Sequence, residues 1–343
     1  MTVLKQVLGI DVAQNELVVS LGRMLSDLSI EIYAYKIFKN NEKGFILMLD
    51  WLKKLTDSSV SIRFVMEATG VYHEKLAYFL DEKGFDISII LPNKISNYFR
   101  TLETKTITDK TCSEAIASFG LERKLDNWHR PKVLYRNLKQ LTRERDQIVA
   151  ERVMVKNQLH AENAGAYPNE NSLKRLEIRL NLLNQQEKEI KKELADFVKQ
   201  DEVIKQQVEN ITTIPGVGAL TAVIVLAETN GFELIRNKRQ LVSYAGLDVR
   251  EKLSGTSIKG KPRISKKGNK NLRRAMHLPS LSAVKRNEHL KDLYVRIVSS
   301  KGIKMKALVA VQRKLLELIY VIYKNNTVFN PEFESQKVDR VLE

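Results

Sequence analysis

The chain has 343 residues, 43% of them hydrophobic, which is enough apolar material for two folded domains and excludes wholesale disorder. Its longest strongly apolar run, ALTAVIVLA at 219–227, falls far short of the roughly 20 residues a bilayer span needs, and MTVLKQVLGIDV lacks the pattern of a secretory leader. A cytoplasmic protein with no membrane partner is therefore expected, and the single cysteine, Cys112, excludes an intramolecular disulfide. The formal net charge of +16 is unevenly spread: the first 128 residues carry 16 basic and 17 acidic side chains, so the surplus lies entirely beyond them. Such asymmetry favours a polyanionic partner, most often nucleic acid, held by the later part of the chain.

In chain order, VLGIDV, ELVVSLG and IEIYAYKIF read as a three-strand meander separated by short polar breaks. NEKGFILMLDWLKKL has helical spacing, IRFVMEA is a short β-rich run, HEKLAYFLDEKG is helical, and DISIILP is a strand stopped by Pro92. Residues 1–128 thus read as an α/β domain. Beyond it, Leu134, Leu138, Leu141, Ile148, Val155 and Leu159 follow a 3–4 repeat that Arg145 and Arg152 interrupt. Leu173, Leu176, Leu180, Leu183, Ile190, Leu194, Phe197 and Ile204 form a cleaner one. The Gly-, Pro- and Asn-bearing AENAGAYPNE between them reverses the chain, so 129–208 is expected to be an antiparallel coiled-coil hairpin. Residues 209–328 read as helices joined by basic loops, and 329–343 as a loose polar tail.

Three acids stand where chemistry could gather. Asp11 follows the apolar VLGI, Glu67 ends RFVM, and Asp109 lies where a helix starts in TITDKTCSEAIASFG. Carboxylates converging on one sheet edge repel one another unless a divalent cation intervenes, and Mg²⁺ or Mn²⁺ suits such hard oxygen donors. Each acid also has a plain structural use: Asp109 as a helix cap, Asp11 as a turn former, Glu67 as a partner for a lysine.

The second concentration of chemistry is 253–274, LSGTSIKGKPRISKKGNKNLRR, with eight Lys or Arg and no Asp or Glu. Lys259, Lys261, Arg263, Lys266, Lys267 and Arg273 could hold a phosphate backbone, and three serines sit among them: Ser254, Ser257 and Ser265. By chemistry alone the three hydroxyls are nearly equivalent nucleophiles, and a solvated basic loop with turn-forming serines explains the composition equally well. In TTIPGVGALTAV, PGVG between helical segments reads as a helix–hairpin–helix whose backbone at Gly216 and Gly218 could bind a phosphate, or as a tight interhelical turn.

GIDVAQNELVVSL, MEATGVYHEKLAYFL and LPNKISNYFRTLETKTITDKT, followed by IPGVGALTAVIVLAE and LVSYAGLDVREKLSGTSIKGKPRISKKGNKNLRRAMH, resemble the DEDD transposases of the insertion-sequence 110/1111 family, whose relatives include the Piv-type DNA invertases. The resemblance covers roughly residues 4–325. It implies a RuvC-like, ribonuclease-H-like N-terminal domain, the coiled-coil arm, and a helical C-terminal transposase domain. It further implies that Asp11, Glu67 and Asp109 hold divalent metal and that Ser254 is the nucleophile. The partners it implies are double-stranded DNA, a guide RNA encoded by the element and further copies of the chain, with association with the bacterial nucleoid when active. The family's fourth acid is expected three residues after the third, where this chain has Cys112, a poor ligand for a hard cation. The site then runs on three carboxylates, or Glu114 substitutes, or this copy is impaired. Two other readings stay open: a RuvC-like nuclease that uses water, and an inactive nucleic-acid-binding remnant.

Overall fold

A computed structural model describes residues 2–68, 70–102, 106–233, 235–251, 253–254, 258–260 and 262–331, with backbone alone at 253, 254, 258 and 259. The chain forms two compact units, Met1–Arg130 and Pro131–Glu343.

The first unit is built on β1 (Val3–Val12), β2 (Glu16–Leu25), β3 (Ile30–Lys39), β4 (Ile62–Glu67) and β5 (Asp86–Ile90). Its helices are α1 (Glu42–Lys53), α2 (Glu74–Glu82), α3 (Pro92–Phe99) and α4 (Asp109–Glu122). The sheet runs β3-β2-β1-β4-β5, antiparallel across the meander and parallel from β1 through β4 to β5. This is the ribonuclease-H-like arrangement expected from the sequence. The central strands are buried on both faces, so they read as nearly continuous apolar runs. Leu8, Ile10, Phe64 and Met66 pack with Phe45, Met48, Leu76 and Leu80 of α1 and α2. Val7 and Val65 turn the other way, onto Ile116, Ala117 and Leu121 of α4. Pro92 does end the β5 segment, but it also opens α3 at the first helical position, where its missing N–H costs nothing.

The second unit opens with α5 (Val133–Asn163) and α6 (Glu170–Gln200), 31 residues each and so about 46 Å long. Arg145 and Arg152 of α5 meet Glu187 and Asn184 of α6 in descending order, which makes the pair antiparallel. The two arginines that interrupt the leucine repeat therefore belong to the seam. Glu187, almost wholly buried, takes Arg145 at 3.0 Å, Lys191 at 2.8 Å and Arg152 as well. Burial pushes the Glu187 carboxyl up, but hydrogen bonds and charge from Lys191 and Arg145 overrule it and hold the group at about 2.

After the arm come α7 (Glu202–Thr212), α8 (Ala219–Thr229) and α9 (Lys238–Tyr244). Four short strands follow: β6 (Val249–Arg250), β7 (Leu253–Ser254), β8 (Ile258–Lys259) and β9 (Arg263–Ile264). The unit closes with α10 (Lys270–Ala275), α11 (His277–Arg286), α12 (Glu288–Lys301) and α13 (Lys304–Asn325). Val311, Leu315 and Ile319 of α13 share one core with Val225 and Leu226 of α8, with Leu241 of α9, and with Leu138 and Leu194 of the arm. The expected tail lies, from residue 332 onward, outside the described residues.

Candidate active site and nucleic-acid interface

Strand register brings the first two acids level. In the parallel β1–β4 ladder Ile10 stands opposite Met66, so the next residues, Asp11 and Glu67, end adjacent strands side by side. Alternation then sends both toward the face shared with Val7 and Val65, which α4 covers. The helix runs opposite to these strands. Its later residue Gly120 lies over Val7 and Val65, while Ser113 and Ala117 lie over Gly9. Its first turn, with Asp109, consequently arrives over the end of β1.

Three contacts fix that seating. A Cβ at Gly9 would stand 2.3 Å from the Ala117 backbone nitrogen and 2.4 Å from the Ser113 carbonyl oxygen, so only glycine lets helix and strand approach this closely. The Ser20 and Ser113 hydroxyls share a buried hydrogen bond of 2.7 Å. At the far end Lys5 Nζ donates to the Gly120, Leu121 and Arg123 carbonyls, satisfying the free acceptors of the last turn. The cap at the start is not Asp109. Thr108 accepts from the Thr111 N–H, and the Thr111 hydroxyl accepts from the Thr108 N–H, so that capping box leaves the Asp109 carboxylate without the capping duty considered for it.

Electrostatics reports the convergence. Burial, then Asp109, then Glu67 push the Asp11 carboxyl up to about 6, against a hydrogen bond from the Val12 backbone. Cys112, half-buried one turn after Asp109, feels the same cluster: burial first, then Asp11, Glu67 and Asp109, raise its thiol pKa and keep it neutral. The residue at the family's fourth acidic position thus sits with the acids, whereas Glu114 pairs with Lys110 at 3.9 Å. The donor set, three carboxylates with mutual repulsion to relieve, fits a hard divalent cation in its chemistry. In its geometry the cluster is open: among the described residues no three His, Cys, Asp or Glu side chains form a ready metal cage.

The basic stretch is a ribbon, not the plain loop the composition suggested. Val249 pairs with Ile264 and Arg250 with Arg263; further out Leu253 pairs with Lys259 and Ser254 with Ile258. Ser254 is therefore the last residue of the outgoing strand β7. Gly255, Ser257 and Lys261 lie outside the described residues, and for Ser254 and Lys259 the backbone alone is described. Arg263, Lys266 and Lys267 are exposed. Arg273 is half-buried and donates to the Ala245 carbonyl at 2.8 Å. Ser265 also has a structural use, since its hydroxyl donates to Asp248 at 2.6 Å.

The PGVG turn joins α7 to α8. Gly218 is the exposed N-cap of α8, and a Cβ added there would meet nothing within 4 Å. Gly216 has an internal reason instead: its φ is +97° and a Cβ there would stand 2.6 Å from the Ala283 nitrogen of α11.

The residue that sequence reasoning passed over is Glu228, at the end of an otherwise apolar helix and 2% exposed. Arg143 grips it with two hydrogen bonds, of 2.8 and 3.0 Å, and Asn269 and Asn271 donate to the same carboxylate. An acid terminating a run such as ALTAVIVLA is the signal that was there to read, because a buried charge demands a partner.

Residues 8–168 match a family model of the DEDD transposases of IS110, and residues 208–295 match the model described as the transposase IS116/IS110/IS902 family. The pilin gene-inverting protein of Moraxella lacunata is 26% identical over 332 residues, spanning 95% of this chain and 98% of that protein. The transposase for insertion sequence element IS1328 of Yersinia enterocolitica is 26% identical over 219 residues, 55% of this chain and 64% of that protein. Among solved structures, Thermus thermophilus RuvC in complex with a Holliday junction substrate aligns with 36% of this chain and 99% of its own at 12% identity. Its TM-score of 0.26 adds no weight to the strand order already described. With residues 8–168 and 208–295 matched by two models of one family, the chain belongs to the IS110-family DEDD transposases, enzymes that recombine DNA.

Proposed function

We propose that this transposase cuts and joins the ends of an insertion sequence with Ser254 as nucleophile and with Asp11, Glu67 and Asp109 as the acids that hold divalent metal. The observation that carries the acidic half is the Asp11 carboxyl raised to about 6 by burial and by its two acidic neighbours. Such repulsion is what a cation would relieve. When bound there, Mg²⁺ or Mn²⁺ supplies charge stabilisation at the phosphodiester oxygens. The Ser254 hydroxyl attacks phosphorus, a Ser–O–P bond forms as the strand's P–O bond breaks, and the serine's proton is balanced by protonation of the departing strand oxygen, which leaves as a hydroxyl; attack by a strand hydroxyl reverses the step and returns the proton to the released serine. Lys259, Lys261, Arg263, Lys266 and Lys267 neutralise the phosphates and the charge that develops on them. Gly218 receives a backbone phosphate.

The acids lie in the first unit and Ser254 in the second, so the reaction needs the two brought together over one strand. Family membership supports doing so in a homo-oligomer, assisted by the arm and directed by an element-encoded RNA. The test is denaturing mass spectrometry on recombination reactions run with and without the transcript adjacent to the gene. A DNA-linked peptide containing Ser254 is expected from the parent and none from Ser254→Ala, which keeps DNA binding. Full recombination by Ser254→Ala overturns the nucleophile, and Ser257 is next in line. A second reading, a nucleic-acid-binding remnant, draws on Cys112 in the acidic cluster. It is favoured if DNA binds while no metal-dependent strand chemistry occurs, including after Cys112→Asp.

A further inference from the structure

Glu228 is a buried charge with four side-chain hydrogen bonds, and its partners come from three places. The Arg143 guanidinium reaches it from α5 of the arm, Nε to Oε1 at 2.8 Å and Nη2 to Oε2 at 3.0 Å. Asn269 donates to Oε2 at 2.7 Å and Asn271 to Oε1 at 3.1 Å, both from the start of α10. The Glu228 backbone carbonyl accepts from the Tyr244 hydroxyl at 2.8 Å, at the end of α9. Each carboxylate oxygen thus has two donors, and the side chain is 1% exposed. A lone buried carboxylate would be costly, but a saturated one is rigid.

That rigidity is passed to the ribbon. Asn269 uses its other amide atom, Oδ1, to cap α10 through the Leu272 N–H at 2.9 Å, and its own N–H reaches the Tyr244 carbonyl at 2.7 Å. One step up the chain, the Lys266 N–H bonds to the Gly246 carbonyl and the Ser265 N–H to the Asp248 carbonyl, at 3.1 and 2.8 Å. The next pairs are Val249 with Ile264 and Arg250 with Arg263, the base of the ribbon whose outer strand carries Ser254. Hydrogen bonds link Arg143 on the arm through Glu228 and Asn269 to Tyr244, and two short backbone stretches, 244–248 and 265–269, carry the connection on to that base.

From this we infer that Glu228 is a positioning residue: with Arg143, Asn269 and Asn271 it ties the arm to the root of the Ser254 ribbon and fixes where the ribbon's hydroxyl is presented. The inference deepens the proposed function and rests on Ser254 as nucleophile for its catalytic consequence, though not for the mechanical coupling itself. Arg143→Lys and Glu228→Gln break the two-pronged grip, because a lysine cannot fork and a glutamine amide offers Arg143 one acceptor instead of two. Asn271→Ala is the gentler variant, removing a single donor and leaving the Arg143 pair in place; Asn271→Ser restores a donor.

Two readouts on the full chain decide the matter. Hydrogen–deuterium exchange of amides in 249–264 is expected to rise about tenfold in Asn271→Ala and more in Glu228→Gln, with α13 amides unchanged. The single-turnover rate of the Ser254–DNA adduct is expected to fall by a similar factor, while DNA affinity stays within about twofold, and Asn271→Ser recovers most of the loss. If Glu228→Gln does not fold, Asn271→Ala carries the test alone. Unchanged ribbon exchange in a folded Asn271→Ala overturns the coupling, as does an adduct rate that falls only in step with affinity or global stability. Should Ser254→Ala recombine normally, the nucleophile is wrong, yet the exchange result still decides whether the arm holds the ribbon.

Discussion

At the residue scale the sharpest consequence concerns Asp11. Its carboxyl titrates near 6 in the folded chain against 3.8 ordinarily, raised by burial and by Asp109 and Glu67. The folded state therefore binds this proton more tightly than the unfolded chain does. The favourable contribution is full below about pH 4, is lost as pH rises from there to about 6, and stays absent above. Asp11→Asn removes the charge that repels, so at pH 7.5 in chelator the variant should melt a few degrees above the parent, on the order of 1 kcal/mol after solvent screening. Near pH 4 the difference should vanish. Adding Mg²⁺ or Mn²⁺ at pH 7.5 should raise the parent's Tm and leave the variant's nearly unmoved. Scanning calorimetry across pH checks both, and a variant that is less stable than the parent at pH 7.5 or equally responsive to the metal contradicts the acidic cluster. Asp11 and Glu67 were legible because a polar residue closing an apolar strand is conspicuous, and Asp109 because it stands where a helix starts. Cys112 was legible as a departure and, three residues after Asp109 on a helix expected to start there, as a neighbour of the acids; the combined pull of burial and of three carboxylates on its thiol was not.

At the scale of elements, the acids meet only if α4 lies close on β1, and Gly9 is where that closeness is decided. Gly9→Ala drives a methyl group into the helix backbone at Ala117 and Ser113, atoms that cannot swing aside as a flexible side chain would. Overpacking of this kind costs roughly 1–3 kcal/mol, read as a lower urea midpoint at unchanged slope. The helix must also lift from the strand, so Asp109 moves off Asp11 and the Asp11 carboxyl, followed by carbon-detected NMR titration, should fall back toward the ordinary range. A Gly9→Ala protein as stable as its parent would show that the helix is not seated by this contact. A glycine inside VLGIDV signals a close backbone approach, but nothing local says which helix approaches. The same limit applies to the arm. Arg145 and Arg152 read as breaks in a leucine repeat because their partner, Glu187, is about 40 residues away and on the other helix. The strands and helices of the first unit were legible from period and punctuation; α3 was not, since Pro92 works equally well as a strand stop and as a helix start.

At the scale of the whole molecule, the +16 surplus was legible from counting, and the ribbon fold of its densest stretch was not, because 253–274 has almost no apolar alternation to betray short strands. What the surplus does can be measured as a salt dependence. Each phosphate neutralised by an exposed cation contributes about 0.9 to the slope of log affinity against log salt. Lys266 and Lys267 are exposed beside the ribbon, and Lys43 and Lys54 are equally exposed in the nearly neutral first unit. Replacing Lys266 and Lys267 together by alanine should make the slope shallower by about 1–2 and weaken binding by a similar factor on any DNA sequence, since phosphate contacts carry no base information. The Lys43→Ala, Lys54→Ala pair, which removes the same net charge, should leave the slope where it was. Fluorescence anisotropy over a salt series distinguishes the outcomes. If both pairs shift the slope equally, affinity follows net charge alone and the ribbon is not the surface that grips the backbone; if only the Lys266 and Lys267 pair does, the phosphates are gathered where Ser254 is presented.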